Sequence, residues 1–245
     1  MAIQTPSTEL QISIVIPIFN EQDNIEPLCT EIRTAMHAAG LSFEIILVDD
    51  ASTDNSAKKI QAMSGQEIRG VFHRINAGQS AAVASGFAAA HGQWIGTLDG
   101  DIQNDPADLP VMLQKALAEQ VDCVTGVRAK RQDTWLRKFS SRVANGFRDW
   151  ITGDKVSDSG CGVRVVRREA VRELPVFNGL HRFMPTLLRG QGFKVIEHQV
   201  NHRPRLHGES KYGVNNRLWR GIYDCFGVRW YLKRAVRSDR LGSSD

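Results

Sequence analysis

Two aspartates separated by one glycine, Asp99 and Asp101, are the residues whose types and spacing most clearly suggest chemistry. They follow an apolar stretch, Trp94 to Leu98, that is typical of a buried strand. On an extended chain both carboxylates and Gln103 would lie on one side, and Gly100 would let a ligand approach the backbone closely. Carboxylates bind hard divalent cations such as Mg²⁺ or Mn²⁺, which also coordinate phosphates. The spacing therefore predicts a divalent-metal site that holds a phosphorylated substrate.

The same residue types also occur in turns that bind nothing. Asp and Gly are favoured in surface turns, so an Asp-Gly-Asp tripeptide alone does not establish a site. A second acidic pair, Asp49-Asp50, follows another predicted strand and could likewise be a turn, with Ser52 capping the next helix. Two acidic groups at the ends of two strands favour the metal site, and the turn remains the alternative for each.

Composition and charge restrict the class of protein. The 245 residues, 42% of them hydrophobic, suffice for one large α/β domain or two small ones. The formal net charge is +4, with acidic clusters in the first half and mainly Arg and Lys from Arg128 onward. This asymmetry predicts an anionic partner in the second half: a phosphate, an acidic lipid or a nucleic acid. A nucleic acid is the least favoured of these, because no recognised nucleic-acid-binding motif is present.

Cysteine spacing and hydropathy restrict the compartment. The four cysteines are widely spaced without a C-x-x-C pair, which argues against zinc and disulfides and favours reduced thiols in a cytoplasmic protein. The first ten residues lack the apolar core of a signal peptide. No stretch approaches the roughly 18 apolar residues of a spanning helix, so we expect a chain that does not cross a membrane.

Strand-like and helix-like patterns alternate along the first two-thirds of the chain. Strands are predicted at 12–18, 44–48, 68–72, 94–98, 123–127, 162–166 and 195–202, and helices at 24–39, 79–90, 106–120 and 183–191, with another from the caps at 52–54 to residue 63. Such alternation predicts a mostly parallel sheet with helices on both faces. Ligands of these sheets bind beyond the carboxyl ends of the strands, where both acidic pairs would lie. No G-x-G-x-x-G and no P-loop is present.

Six motifs together resemble a known family. Ile14–Glu21, Val48–Asp54 and Asp99–Gln103 are similar to the inverting family 2 glycosyltransferases of GT-A fold. Arg137–Ser141, Asp158–Arg164 and Arg205–Tyr212 are similar to the dolichol-phosphate mannosyltransferase subgroup, which also contains bacterial enzymes that load sugars onto undecaprenyl phosphate. The resemblance implies a GT-A domain over residues 10–213.

The resemblance also implies roles for individual residues. The donor nucleotide would be bound by Pro17, Phe19, Glu21, Asp49, Asp50 and Asp99. The metal ligands would be Asp99, Asp101 and Gln103. The acceptor phosphate would be bound by Arg128, Arg137, Ser141, Lys211 and, with less support, Arg205. The catalytic set would be Asp101, Arg128, Arg137 and Lys211.

A basic, aromatic-rich helix is predicted at residues 214–237. Such a helix can lie in a membrane interface beside anionic headgroups. It could instead pack onto the catalytic domain or onto a second copy of the chain. The first alternative predicts peripheral contact with the cytoplasmic face of the membrane, and the last predicts a homo-oligomer.

These expectations combine into one predicted function with two alternatives. The prediction is metal-dependent, inverting transfer of a hexose from GDP-mannose or a UDP-sugar to a polyprenyl phosphate. One alternative is transfer to a saccharide hydroxyl in envelope polysaccharide or lipopolysaccharide synthesis, which would require a positioned carboxylate base. The other is a catalytically silent, membrane-associated module that keeps the fold and has lost nucleotide binding.

Overall fold

The computed structural model describes residues 10–128, 146–204 and 215–235, with the backbone alone for 215–220. The strands are β1 (Ile12–Ile18), β2 (Phe43–Asp49), β3 (Ile68–Phe72), β4 (Trp94–Thr97), β5 (Cys123–Arg128), β6 (Arg164–Arg167) and β7 (Val195–Val200). The helices are α1 (Ile25–Ala38), α2 (Ser56–Met63), α3 (Gln79–Ala89), α4 (Asp108–Ala118), α5 (described from 146 to 152), α6 (Arg168–Val171), α7 (Leu180–Gln191) and α8 (Asn215–Arg234).

The strands form one seven-stranded sheet in the order β3-β2-β1-β4-β6-β5-β7. β6 runs antiparallel to both of its neighbours, and the other strand pairs are parallel. Strand order reverses between β1 and β4, because β2 and β3 extend from the other side of β1. A reversal of this kind opens a crevice at the carboxyl edge of the sheet, which is where ligands of open α/β sheets bind.

Two hydrophobic cores cover the two faces of this sheet, because side chains alternate along each strand. Ile14 and Ile16 of β1 belong to the core beneath α1, α2 and α4. Val15 of the same strand belongs to the opposite core with α3, α7 and α8, to which α8 contributes Cys225 and Val228. The β-branched runs of the inner strands are therefore buried on both sides, as expected of a mostly parallel sheet.

The predicted elements are present, and three of their boundaries differ in an informative way. The strand expected at 94–98 ends at Thr97, so the residues after it are not extended. The helix expected from the caps at 52–54 begins at Ser56, whose amide donates to Oδ1 of Asp54. Ser52 and Asp54 also accept hydrogen bonds from backbone N–H groups of the β1–α1 loop. The helix expected from Pro106 begins at Asp108.

Two further expectations bear on compartment and membrane. All four cysteines are buried and unpaired, which agrees with reduced thiols. Over the three described ranges, no helix is both long enough and apolar enough to span a bilayer.

Candidate active site

Strained backbone marks the carboxyl edge of the sheet. Asn20 follows β1 with a φ of 53°, Ala51 follows β2 with 57°, and Ile102 follows β4 with 60°. Non-glycine residues with positive φ are uncommon and tend to occur at functional sites. Among the described residues only Gln120 shares this conformation elsewhere. Three of the four cases therefore lie where the predicted site residues meet.

The acidic residues after β4 lie in a turn and not on an extended strand, which corrects the alternation expected from the sequence. Thr97 ends the strand, and the backbone amide of Gln103 donates to Oδ1 of Asp101 at 3.2 Å. The backbone amide of Asp99 donates to Oδ1 of Asn104 at 3.1 Å. The side chain of Asn104, which sequence reasoning did not single out, thus holds the turn closed. The turn alternative was right about the backbone, but this turn lies at the edge where ligands bind.

Gly100 is required by the protein itself and not by an approaching ligand. A Cβ at this position would lie 2.9 Å from Cδ1 of Ile18 and 3.1 Å from the carbonyl oxygen of Pro17. The turn therefore packs directly on the end of β1. The same contact brings Glu21 beside the turn, since its Cγ would be 3.8 Å from that Cβ.

The charge of Asp99 is unfavourable in its present surroundings. Burial raises the pKa of this carboxyl to about 6, and the negative charge of Asp101 acts on the pKa in the same direction. The positive charges of Arg164 and Arg128 and a hydrogen bond from Gln79 oppose that increase in pKa. A buried carboxylate with a raised pKa, acted on by the negative charge of a second carboxylate, is a donor set that a divalent cation would stabilise.

Residues distant in sequence form the enclosure around Asp99. Nε2 of Gln79, the first residue of α3, donates to Oδ1 of Asp99 at 3.0 Å. A Cβ at Gly162 would overlap the carboxylate, so any other residue there would require Asp99 to move. Arg164 is 3% exposed and donates from Nη2 to the carbonyl oxygen of His181, while its Nε has no partner among the described residues. Sequence reasoning gave Gln79, Gly162 and Arg164 no role, although the last two lie in a motif that it had recognised.

Asp49 and Asp50 are neighbours with different surroundings. Asp49 is 3% exposed, and its Oδ2 accepts from the amide of Ser52 at 3.2 Å. Its Oδ1 is buried without a hydrogen-bond partner among the described residues, which suits an external N–H donor. Asp50 accepts from the amides of Ala77 and Gly78, and His73 lies 2.7 Å from its Oδ1. Asp50 therefore anchors the loop before α3.

The loops after β1 and β2 are tied together by hydrogen bonds. The amide of Asn20 donates to Oγ of Ser52, and the amide of Glu21 donates to Oγ of Ser56. Oε2 of Glu21 accepts from Nδ2 of Asn24, whose Oδ1 is buried and has no partner in the described ranges. These bonds hold the loop that follows β1 against the segment that follows Asp49.

Arg128 ends β5 and lies beside the acidic turn, where its charge acts on Asp99. Nε and Nη2 of Arg128 donate to Oδ2 and Oδ1 of Asp158 at 2.7 and 2.8 Å. This forked pair fixes the guanidinium group. Asp158 is 5% exposed and lay in a recognised motif, but its pairing with Arg128 could not be read from the sequence.

Four of the predicted acceptor residues, Arg137, Ser141, Arg205 and Lys211, lie outside the described residues. The structure thus places the predicted donor and metal residues and Arg128 at the ends of strands of one sheet, and the roles of all the predicted site residues stay predictions.

The donor set fits a divalent cation bound partly by substrate. No group of three or more His, Cys, Asp or Glu side chains that could hold a metal occurs within the described ranges. Mg²⁺ commonly takes one or two carboxylates and completes its shell with phosphate oxygens and water, so Asp99 and Asp101 suffice. Nε2 of Gln103 donates to the carbonyl oxygen of Arg203 at 3.3 Å, so the amide oxygen is the ligand atom that Gln103 could offer.

Comparison with known proteins identifies relatives over nearly the whole chain. Residues 13–175 match the family model described as glycosyl transferase family 2. A dodecaprenyl-phosphate galacturonate synthase of Rhizobium johnstonii is 37% identical over 238 residues, which cover 95% of this chain and 70% of that protein. An undecaprenyl-phosphate 4-deoxy-4-formamido-L-arabinose transferase of Aeromonas hydrophila is 36% identical over 83% of this chain, which spans only 63% of that relative.

Solved structures share the fold. Glucosyl-3-phosphoglycerate synthase of Mycobacterium tuberculosis, in complex with Mn²⁺, UDP and phosphoglyceric acid, matches with a TM-score of 0.68 and 19% identity. The match covers 94% of this chain and 80% of that one. The same enzyme with Mn²⁺, UDP-glucose and phosphoglyceric acid matches with a TM-score of 0.67, 18% identity and coverage of 90% and 79%. The solved structures show the fold, and the family model together with the sequence relatives shows that the chain belongs to glycosyl transferase family 2.

Proposed function

We propose that this chain transfers a sugar from a nucleoside diphosphate donor to a polyprenyl phosphate, with a divalent metal ion at the turn that carries Asp99 and Asp101. The observation that carries the proposal is the acidic turn, which is enclosed at the carboxyl edge of the sheet, where the charge of Arg128 acts on Asp99 and where β2 ends at Asp49. The names of the two relatives above support the acceptor class, since both contain a polyprenyl phosphate.

The donor nucleotide would lie along the ends of β1 and β2. The unpaired Oδ1 of Asp49 would accept an N–H of the base, and Pro17, Phe19 and Glu21 would form the wall beside it. Asp50 would support this wall indirectly, because its oxygens already accept from the loop before α3. GDP and UDP donors both carry a base N–H, so this contact alone does not choose between them.

The diphosphate of the donor would lie over the acidic turn. Asp99, Asp101 and the amide oxygen of Gln103 would hold Mg²⁺ or Mn²⁺, which would supply Lewis-acid stabilisation of the charge on the leaving group. Gln79 and Gly162 would keep the carboxylate of Asp99 in place. Structural neighbours named with Mn²⁺ and UDP support a metal of this class.

The transfer itself would need little proton chemistry. The bond between the sugar C1 and the leaving diphosphate breaks as C1 bonds to an oxygen of the acceptor phosphate. That oxygen is already ionised at neutral pH, so no strong general base is required, in contrast to a hydroxyl acceptor. Arg128, fixed by Asp158, would stabilise negative charge on the acceptor side, together with Arg137, Ser141, Arg205 and Lys211.

The first test of this proposal is binding. We expect GDP, UDP or one of their sugar conjugates to raise the melting temperature only with Mg²⁺ or Mn²⁺. A ligand at 100 times its Kd stabilises the native state by about 2.7 kcal/mol. The variant Asp101→Asn should lose the shift, and Glu119→Gln, which removes an exposed carboxylate at the C-terminus of α4, should keep it. A shift from no nucleotide would overturn the proposal in favour of the silent module.

The second test is transfer. The donor identified by binding is incubated with undecaprenyl phosphate or with saccharide acceptors, and the lipid product is extracted and quantified. We expect a glycolipid with undecaprenyl phosphate and none with Asp101→Asn. Transfer only to a saccharide hydroxyl would replace the proposed acceptor. With Arg137→Ala we expect a higher KM for the lipid and unchanged nucleotide binding.

The acceptor class also implies a location. A polyprenyl phosphate is held in a bilayer by its hydrocarbon chain, so the proposed enzyme would work in peripheral contact with the cytoplasmic face of a membrane.

A further inference from the structure

Large aromatic side chains are exposed on helices α5 and α8. Tyr223, Phe226 and Trp230 of α8 are 79%, 55% and 66% exposed, and Trp150 of α5 is 77% exposed. We propose that these four residues form a single face that binds an anionic phospholipid bilayer, and we call it the aromatic face. This proposal specifies which surface of the protein contacts the membrane. It rests on the proposed function, since the proposed acceptor is a membrane lipid.

The aromatic face is the outer side of a helix whose inner side is already packed. Cys225 and Val228 are 4% and 2% exposed and belong to the core that α7 completes. The three exposed aromatic residues recur at intervals of three and four, so they occupy one stripe opposite that core. The alternative in which this stripe packs onto the catalytic domain therefore does not hold for Tyr223, Phe226 and Trp230.

Helix α5 is joined to α8, which places Trp150 beside the stripe. Nη1 of Arg229 donates to the carbonyl oxygen of Ile151 at 2.7 Å. The positive charge of Arg148 acts on Cys225. Trp150 precedes Ile151 in sequence, and its ring lies 6.3 Å from that of Phe147 in a tilted arrangement. The exposed indole thus rests on a packed ring, which reduces the entropy lost when it inserts into another phase.

Charge favours a lipid surface over a second copy of this chain. Helix α8 contains five basic residues and one acidic residue. The acidic residue, Asp224, pairs with Arg182 of α7 at 3.1 Å. Two copies meeting symmetrically through this face would bring like charges together, which is unfavourable. Anionic headgroups would instead neutralise Lys233 and Arg234, which are exposed, while Trp and Tyr favour the interfacial region.

The position of the two helices in the chain suits an enzyme that takes its acceptor from the bilayer. The stretch that holds Arg137 and Ser141 leads directly into α5, and the stretch that holds Arg205 and Lys211 leads into α8. Both stretches start near the acidic turn: one after Arg128, the other shortly after the carbonyl of Arg203 that Gln103 contacts. Both helices of the aromatic face therefore adjoin, in sequence, the segments proposed to bind the acceptor phosphate.

Vesicle binding by the full chain tests this proposal. The protein is sedimented with vesicles of phosphatidylcholine alone or with about one-third phosphatidylglycerol. We expect binding to the anionic vesicles and at least about tenfold weaker partition for the double variant Trp150→Ser/Trp230→Ser. The matched control is Val111→Ser/Leu117→Ser, which removes exposed apolar side chains of α4 and should bind like the wild type. Melting temperatures and metal-dependent nucleotide shifts show that each variant is folded.

The vesicle experiment has outcomes that would refute the aromatic face as a membrane-binding surface. Equal partition of wild type and Trp150→Ser/Trp230→Ser, or no binding to anionic vesicles, would overturn the aromatic face. A dimer in sedimentation velocity that the same double variant dissociates, without vesicle binding, would assign the face to a second copy. If the double variant does not fold, Tyr223→Ser and Phe226→Ser separately decide the same question. Nucleotide binding without vesicle binding would refute only the aromatic face, and the reverse would refute only the proposed function.

Discussion

The carboxylate of Asp99 is confined on several sides by residues that are far away in sequence. Gly162 lies against it, Gln79 donates to it, and Arg164 and Arg128 act on it through their charge. A group confined in this way binds a cation with little loss of conformational entropy, and small displacements of it are costly. Both the space around Asp99 and its protonation can therefore be tested by single substitutions.

Adding one methyl group at position 162 should displace Asp99. In Gly162→Ala the new Cβ would overlap the carboxylate, so the carboxylate must move from its present position. Since displacements of about 1 Å can cost about 100-fold in rate, we expect a loss of that order in sugar transfer. The control is Gly65→Ala, where a Cβ meets nothing within 4 Å. A Gly162→Ala variant with wild-type kinetics would show that Asp99 does not act from this position.

The raised pKa of Asp99 should be visible in the pH dependence of stability. Because this pKa is about 6 in the folded protein and lies at its ordinary value of 3.8 in the unfolded chain, the native state binds more protons than the unfolded state between these values. The contribution of Asp99 to the free energy of unfolding therefore falls as the pH rises towards about 6.

The measurement is chemical denaturation in EDTA at about pH 5 and about pH 7.5, for the wild type and Asp99→Asn. We expect the variant to gain stability relative to the wild type at the higher pH. If the difference in the free energy of unfolding between Asp99→Asn and the wild type is the same at both pH values, the pKa of Asp99 is not raised.

At the scale of elements, hydrogen bonds join the loops and helix N-termini at the carboxyl edge to one another. The loops after β1 and β2 exchange hydrogen bonds through Ser52 and Ser56. The N-terminus of α3 is fastened to the N-terminus of α7, since Oγ of Ser80 accepts from the amide of Gly179 at 3.0 Å and lies 2.9 Å from Nδ1 of His181. Gln79 precedes Ser80, so this contact also positions the residue that holds Asp99.

Removing the hydroxyl of Ser80 should loosen that contact. Ser80 is 3% exposed, so Ser80→Ala leaves the amide of Gly179 without its acceptor in a buried place. We expect a loss of about 1–3 kcal/mol in the free energy of unfolding, measured by urea denaturation. Thr34→Ala, which removes an exposed hydroxyl bonded to its own helix, should change it by less than about 0.5 kcal/mol. Equal losses in both variants would contradict a specific role for Ser80.

At the scale of the whole molecule, two cores share one sheet, and α8 belongs to one of them. Its inner side chains belong to the core that α7 completes, although its outer side carries the aromatic face. The helix predicted as a membrane element therefore also stabilises the catalytic fold, and its two sides should respond differently to substitution.

Truncation of the inner side should cost stability, and truncation of the outer side should not. Val228→Ala removes buried methyl groups and should lower the free energy of unfolding by about 2 kcal/mol. Tyr223→Ser, at a residue 79% exposed, should change it by less than about 0.5 kcal/mol. Both are read from denaturation followed by circular dichroism. A large effect of Tyr223→Ser on the isolated protein would mean that the aromatic face is covered within the molecule.

Local patterns in the chain were enough to define the elements and the edge at which the site lies. The β-branched run of β1 and the helical spacing of Ile25, Leu28 and Ile32 are such patterns, and both predicted elements formed. Since the acidic pairs follow β2 and β4 in a parallel arrangement, their common edge followed from chain order alone. The six motifs added the family, which the comparisons confirmed.

The contacts of each charged group in the site came from the folded arrangement instead. Asp49 and Asp50 are the same residue type at adjacent positions. Within the part of the chain that the structure describes, one keeps an oxygen without a hydrogen-bond partner, and the other accepts from a loop 27 residues away. Arg128 pairs with a residue 30 positions later, and the room around Asp99 depends on Gly162. Residues Asp99–Asp101 form a turn that packs on the end of β1, where the sequence had predicted extended chain. Local spacing specifies the faces of helices and strands, whereas a carboxylate's partners depend on which distant segments the packing of the sheet brings beside it.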